Sequence, residues 1–367
     1  MRISAGSMKG VGAVIRMVGR VVIGLALAIT VAAILLGRYV DPLVGRAREP
    51  HGVVRAVHIQ DAAAFCRDQA NNFFDPETGE SVRLALPMQG GFGPIGLAPP
   101  SDGTGSRRAA GFSAVGRGEG ESSTHRLVVF GVPDGREIDR VSLDVIPTSD
   151  PCWSPDGSER IVFSAFDGRL YEYRRGTRSG MAVRRLEMRG GLTPRSIGQI
   201  RDVCWPTDPR LGGRLLVTTR LPGKADGGMG TPPYQMAWLR LDPEDGSILE
   251  CEPLDRSIQG AGCERRFPTI GRSLGGGIQV AFLARRDGET HWHLELAELA
   301  ASGVDGALSL VEGSERIIAR RVHPTPAAFS SDGQFITYVP VVDPAVGPGA
   351  PIRMVVGGLS LTLVVSR

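Results

Sequence analysis

The chain has 367 residues, 42 Lys plus Arg against 39 Asp plus Glu, and a formal net charge of +3. With 42% hydrophobic and 22% charged residues it is neither a disordered chain nor a polytopic membrane protein, and it is long enough to bury a large core without staples. Residues 1–50 hold seven of the basic residues and two of the acidic ones, so the body beyond is near neutral and offers no electrostatic case for nucleic acid.

The first predicted element is apolar. Residues 21–37 (VVIGLALAITVAAILLG) form the only long uncharged run, bracketed by Arg20 and Arg38. At ~1.5 Å per residue the run covers about 25 Å, and the flanking arginines can snorkel to reach across a hydrocarbon core of about 30 Å. A cleaved signal peptide would have a shorter apolar run and a small-x-small site, which Gly45-Arg46-Ala47 imitates poorly. An uncleaved signal anchor is therefore expected. The basic residues ahead of it weigh toward a cytoplasmic N-terminus. The chain then divides into a cytoplasmic tail (1–20), a transmembrane helix (21–37), a juxtamembrane linker (38–52) and a body (53–367) that is periplasmic or extracellular.

The body repeats. Its clearest unit is Pro151-Cys152-Trp153-Ser154-Pro155-Asp156-Gly157, followed by the alternating runs Arg160 to Ser164 and Arg169 to Tyr173. This reads as a strand end, a Pro-Asp-Gly turn, a strand, a short turn and another strand. Similar starts occur at Ala98, Trp205, Ile270 and Phe329, the last continuing as Ser330-Ser331-Asp332-Gly333. Aligning Ala98, Trp153, Trp205, Ile270 and Phe329 gives spacings of 55, 52, 65 and 59 residues, the length of four strands with their loops. The second half of each unit repeats as strand, acidic-Gly turn, strand, and Asn72 to Leu84 supplies one more half-unit upstream. One such unit cannot bury both of its faces. The predicted fold is all-β, a β-propeller of four-stranded blades following one N-terminal transmembrane helix. Six blades are favoured, and five or seven also fit the spacing.

The run Trp153-Ser154-Pro155-Asp156-Gly157 with its following apolar strand resembles the WD40-like, or PD40, repeat of TolB-type β-propellers. Ala328 to Gly333 approaches the same motif, while the copies at Trp205 and Ile270 lack the Asp-Gly turn. The resemblance implies a periplasmic or surface binding platform. TolB itself has an additional N-terminal α/β domain, for which residues 38–70 are too short.

Sorting the connections by face puts the short turns together and the long segments 116–124, 190–201, 221–233, 250–266 and 340–351 on the opposite face, where recognition is expected. Cys251 and Cys263, twelve positions apart in one of these segments, are the candidate disulfide. Cys152 and Cys204 occupy equivalent places before Trp153 and Trp205 and read as small inner-strand residues, while Cys66 has no obvious partner.

Three motif matches are set aside. Gly271-Arg272-Ser273-Leu274-Gly275 fits the nucleophile-elbow pattern but sits where the repeat requires a turn, with a strand after it. Gly91 to Gly96 fits G-x-G-x-x-G without a following helix to receive a phosphate. His291 and His293 share a strand face without an acidic or thiol partner and read as an exposed pair. Asp134, Asp156, Asp245 and Asp332 stand beside glycines and read as turn formers, not calcium ligands.

The expectation is a membrane-anchored, extracytoplasmic propeller that binds an unidentified envelope protein or acts as an envelope scaffold. It is expected to be no enzyme, with no catalytic residue, cofactor or metal. The motif residues Trp153, Ser154, Pro155, Asp156, Gly157, Ser331, Asp332 and Gly333 are expected to be structural. The alternative is a carbohydrate-binding or carbohydrate-processing propeller with its site at the axial opening.

Overall fold

Alternation along single strands dictates how this chain builds its core. In the computed structural model the described residues run from 57 to 364 and leave out 60–70, 75–80, 85–90, 100–106, 116–123, 133, 157, 176–182, 193–196, 212, 221–232, 255–262, 274, 303–306, 331–332, 334, 344–346, 349–351 and 356–362. The tail, the transmembrane helix and the linker expected over 1–52, together with Cys66, Gly157, Ser331 and Asp332, lie outside them. Among the described residues no helix is long and apolar enough to cross a membrane.

Six antiparallel sheets follow one another along the chain. Sheet I holds β1 (Val57–Ile59), β2 (Asn71–Phe74) and β3 (Ser81–Leu84). Sheet II holds β4 (Gly91–Leu97), β5 (Arg107–Val115), β6 (Thr124–Val132) and β7 (Glu137–Leu143). Sheet III holds β8 (Cys152–Trp153), β9 (Arg160–Ser164), β10 (Leu170–Arg174) and β11 (Val183–Arg185). Sheet IV holds β12 (Ile200–Cys204), β13 (Arg214–Thr219), β14 (Gln235–Leu241) and β15 (Ile248–Pro253). Sheet V holds β16 (Cys263–Arg272), β17 (Ile278–Arg286), β18 (Trp292–Ser302) and β19 (Ala307–Leu310), with β20 (Arg316–Val322) also pairing β18. Sheet VI begins with β21 (Ala328–Phe329) and β22 (Phe335–Tyr338). A small hairpin of β23 (Val341–Asp343) and β24 (Gly347–Pro348) follows, and β25 (Ile352–Val355) and β26 (Leu363–Val364) complete the sheet. All strand pairs are antiparallel, and each four-strand path runs in chain order.

The repeat positions fall where the alignment requires. Trp153 and Phe329 end the first strands of their sheets, Ala98 and Trp205 come just after β4 and β12, and Ile270 lies near the end of β16. Successive side chains of a strand point to opposite sides, and each inner strand therefore feeds two cores. Ile161 and Phe163 of β9 enter the core shared with sheet II, while Val162 enters the one shared with sheet IV. Leu215 and Val217 of β13 face sheet III, and Leu216 faces sheet V. Val280 and Phe282 of β17 face sheet IV, whereas Ala281 and Leu283 face sheet VI. Four cores joined in series hold sheets II to VI face to face. No sheet could stand alone with both faces apolar, which is why the unit must repeat. Neighbouring inner strands approach one another: β4 lies beside β8, β9 beside β12, β12 beside β16 and β16 beside β21.

The turn chemistry is local. The Asp156 carboxylate accepts hydrogen bonds from the Ser154 hydroxyl (2.7 Å) and the Ser158 amide (2.8 Å). Asp245 accepts the Ser247 amide at 2.8 Å, beside Gly246 at φ +71°.

Two expectations are corrected. Cys251 and Cys263 form no disulfide: both thiols are free, and both residues belong to strands instead of one loop. Cys251 packs against the core of sheets III and IV and Cys263 against the core of sheets IV and V, so the register that buries them points them into different layers. His291 and His293 are no exposed pair either. His293 is buried in β18 with Nε2 3.3 Å from Glu289 Oε2, while His291 precedes the strand.

Candidate functional site

The first strands of sheets II to V end around one cavity of about 40 Å³. Gly96 and Pro99 come from sheet II, Cys152 and Trp153 from sheet III, Trp205 and Thr207 from sheet IV, and Thr269 and Ile270 from sheet V. The two tryptophans are there because the repeat puts an aromatic at this point, and both are more than nine-tenths buried. Their indoles differ in one respect. Trp153 donates its N–H to the Gly96 carbonyl at 3.0 Å, whereas the Trp205 indole N–H, equally shielded, has no hydrogen-bond partner. A shielded donor without an acceptor carries a desolvation cost of about 1–3 kcal/mol. The Cys152 sulfur accepts the Trp205 backbone N–H at 3.0 Å.

Two arginines stack on these tryptophans. The Arg108 guanidinium lies over Trp153 at 5.8 Å and that of Arg160 over Trp205 at 5.3 Å. Arg160 also reaches the fully buried Glu172 at 2.7 Å, and Arg174 and Arg184 converge on the same carboxylate at 2.8 and 2.7 Å. Burial would raise the Glu172 pKa, but the hydrogen bonds from Arg174 and Arg184 and the charge of Arg160 outweigh it and hold it below the usual carboxylate value.

Next to the cavity residue Thr207, Asp208 is gripped by Arg210 (2.9 and 2.7 Å) and by Arg272 (3.2 Å). Hydrogen bonds from Arg210 chiefly hold the Asp208 carboxyl down to about 2. A carboxyl depressed in the folded state contributes stability above its unfolded pKa of about 3.9 and loses it as pH falls toward about 2. Asp208→Asn is therefore expected to cost about 1–2 kcal/mol at pH 7, reduced by the half-exposed arginines. Between roughly pH 4 and pH 2 its stability should fall less steeply than that of the wild type, as read by urea unfolding at several pH values.

At the other end of the same inner strands lies a polar contact that the sequence did not single out. Asp202 of β12, 4% exposed, receives Arg266 Nε at 2.5 Å and Nη2 at 2.8 Å, the Thr218 hydroxyl at 2.5 Å and the Phe267 amide at 3.1 Å. Both strands carry register irregularities here, and Phe267 sits at φ +52°. A bulky residue in that region is strained. The Phe267 N–H satisfies Asp202 because of it. The signal available in the sequence was an aspartate among Ile200, Val203 and Cys204, at a position where the pattern demands burial.

Of the motif residues expected to be structural, Trp153 and Ser154 are buried and Asp156 closes its turn. Gly333 adopts φ +70°, and a Cβ there would meet the Arg272 carbonyl oxygen at 1.9 Å. Gly271 and Ser273 form no nucleophile elbow. Ser273 lies in the turn between β16 and β17, its hydroxyl accepting the Gly277 amide at 3.0 Å. Gly271 is needed for packing, because a Cβ would lie 2.3 Å from the Phe329 ring. Much of the face expected to bind through long loops lies outside the described residues, while the cavity opens where the first strands run into their short turns.

No family model and no curated protein matches the chain. It is similar to several solved structures. The complex of KlAtg21 with the coiled-coil of AgAtg16 matches at 11% identity and TM-score 0.44, over 85% of this chain and 98% of that one. A luciferin-regenerating enzyme matches at 11% identity and TM-score 0.42, over 85% and 94%. The endo-arabinase of Bacteroides thetaiotaomicron VPI-5482 matches at 10% identity and TM-score 0.37, over 83% and 94%. Most of the matched structures are enzymes, among them a mannose phosphorylase, a family 32 glycoside hydrolase and prolyl endopeptidases. The expectation of a non-enzymatic chain is withdrawn on that finding. At these identities and TM-scores no substrate, residue role or activity passes from them to this protein.

Proposed function

We propose that residues 53–367 form a six-bladed β-propeller, anchored in a membrane by residues 21–37 and displayed outside the cytoplasm, that binds or processes carbohydrate at its axial opening. The ring reading is supported by six successive antiparallel sheets, of which sheets II to VI adjoin one another in chain order, since units of this kind close radially. The resemblance of Trp153 to Gly157 to the PD40 repeat favours the same architecture.

The observation that carries the function is the cavity at the inner-strand ends, where residues of four successive sheets, Trp153 and Trp205 among them, converge. A mostly apolar lining with hydroxyls at Thr207 and Thr269 is the kind of mouth at which a sugar is oriented. Ligand-observed NMR of the full chain in detergent against neutral and acidic oligosaccharides tests this reading. At least one class should bind, and Trp205→Ala should weaken it tenfold or more. If no oligosaccharide binds, the reading falls, and an envelope protein engaged through the long loops takes its place.

A further inference from the structure

We propose that the outer edge of sheet V, strand β20, docks an extended acidic segment of a partner polypeptide, which adds to the sheet as a further strand. This goes beyond the carbohydrate reading and does not depend on it.

The outer row of sheet V is built from two strands. β18 pairs β17 along one edge, and its other edge is shared end to end: β19 takes Leu299 to Ser302, and β20 takes Trp292 to Leu296. β20 is held firmly from within. Ile318, Ala319 and Val322 lie in the core between sheets V and VI, Val322 bridges Pro340, and the His323 N–H donates to the Val339 carbonyl at 2.7 Å. Apart from that one bridge, β20 pairs no strand but β18 among the described residues, so its far side presents backbone N–H and C=O groups in the extended form that a further strand completes.

The outer strands of the other sheets share such an edge, and charge sets β20 apart from them. β7 carries both signs, with Glu137 bonded to Arg140, and in β15 Glu250 and Glu252 pair with Arg240 and Arg214. In β11, Arg184 is tied to Glu172 and Arg185 to Glu187. β20 instead carries Arg316, Arg320 and Arg321 with no acidic residue, all three exposed, and among the described residues none has an ion-pair partner. The neighbouring carboxylates are engaged elsewhere: Glu264 by Arg285, Glu295 by Arg286, Glu315 by Arg265, while Glu289 faces His293. The remaining acids of the sheet, Asp287, Glu298 and Glu312, make no ion pair with these arginines.

The backbone adds to the effect. The register shifts between Trp292 and His293, and Arg321, lying between the residues they pair with, has φ +56°. A regular strand sends successive side chains to opposite faces, whereas here Arg320 and Arg321 are both exposed between the buried Ala319 and Val322. Three guanidiniums along one open edge select a segment that carries carboxylates, and the main-chain pairing requires it to be extended.

The test is fluorescence anisotropy of the full chain in detergent with a labelled short peptide of alternating Glu and Val, at low and high salt. Its controls are the same peptide with Gln for Glu, and the Glu peptide N-methylated at alternate amides so that one of its edges cannot pair. The Glu peptide should bind at least tenfold more tightly than either control, and raising the salt should narrow the gap to the Gln peptide. Arg320→Gln with Arg321→Gln should weaken it at least tenfold with an unchanged thermal melt, whereas Arg185→Gln on the outer strand of sheet III should leave it unaltered. Equal binding of the Gln peptide overturns the role of charge, and equal binding of the methylated peptide overturns strand addition. Undiminished binding to the folded double variant places the site elsewhere, and no binding of any peptide shows that the arginines only guard the edge; either result overturns the proposal and leaves the carbohydrate reading untouched.

Discussion

Replacing Arg266 by Met should destabilise the protein by about 3–5 kcal/mol, among the largest effects of any single substitution. The loss has one dominant source. Asp202 is 4% exposed, and Arg266 supplies both of its charge-assisted hydrogen bonds from a guanidinium. Deleting the cation leaves a buried carboxylate without its countercharge, with only the Thr218 hydroxyl and the Phe267 amide still donating to it, and breaking such a pair typically costs about that amount. Arg266 also stacks on Phe267 at 4.6 Å and on Tyr234 at 5.3 Å, and the methionine stem keeps only part of that packing. The control is the double variant Asp202→Asn with Arg266→Met. It removes the stranded charge and should recover at least half of the loss, so the two sites are strongly non-additive. Urea unfolding midpoints with unchanged slopes measure it. A single-variant loss below about 1 kcal/mol would show that the pair contributes nothing to joining sheets IV and V.

Gly271→Ala should cost about 3 kcal/mol, a large effect for one methyl group. Its Cβ would lie 2.3, 2.5 and 2.7 Å from three carbons of the Phe329 ring. That ring is 2% exposed and belongs to the core between sheets V and VI, so it cannot swing aside cheaply. Gly275, four residues on, is the matched control. A Cβ there meets nothing closer than the Ser273 hydroxyl at 3.9 Å, and Gly275→Ala should change stability by less than about 0.5 kcal/mol. Adding Phe329→Leu to Gly271→Ala makes room and should restore part of the loss. Equal effects of the two alanine substitutions would contradict the close approach of β16 and Phe329.

The repeat was legible because its signals are local. Turn residues recur at fixed offsets, alternation marks the strands, and an aromatic or small apolar residue returns at the end of each inner strand. Ala98, Trp153, Trp205, Ile270 and Phe329 occupy corresponding places in five sheets for that reason. The polar chemistry was not legible, because its partners meet only after the sheets stack. Asp202 and Arg266 are 64 residues apart on adjacent inner strands, and Glu172 gathers arginines from three strands of its own sheet. The glycines of the two motif matches set aside for chemistry have a packing role that the sequence did not show. A Cβ on Gly96 would meet the Pro151 carbonyl oxygen at 1.9 Å, and Gly271 clears the Phe329 ring. Both mark places where neighbouring inner strands approach too closely for any side chain. The disulfide expectation failed because the sequence between Glu250 and Arg266 does not show where β15 ends and β16 begins. Without those ends, the layer into which each cysteine points is undetermined.

The central claim is that recognition occurs at the axial opening, where the inner strands end, and not at the long loops. Photo-crosslinking of the full chain with an oligosaccharide that binds it, carrying a short-armed diazirine, followed by peptide mapping, tests it most directly. The account predicts labelled peptides containing Trp153, Trp205 or Thr207, with labelling suppressed by unmodified oligosaccharide. Competable labelling confined to segments 221–233 and 340–351 would contradict it.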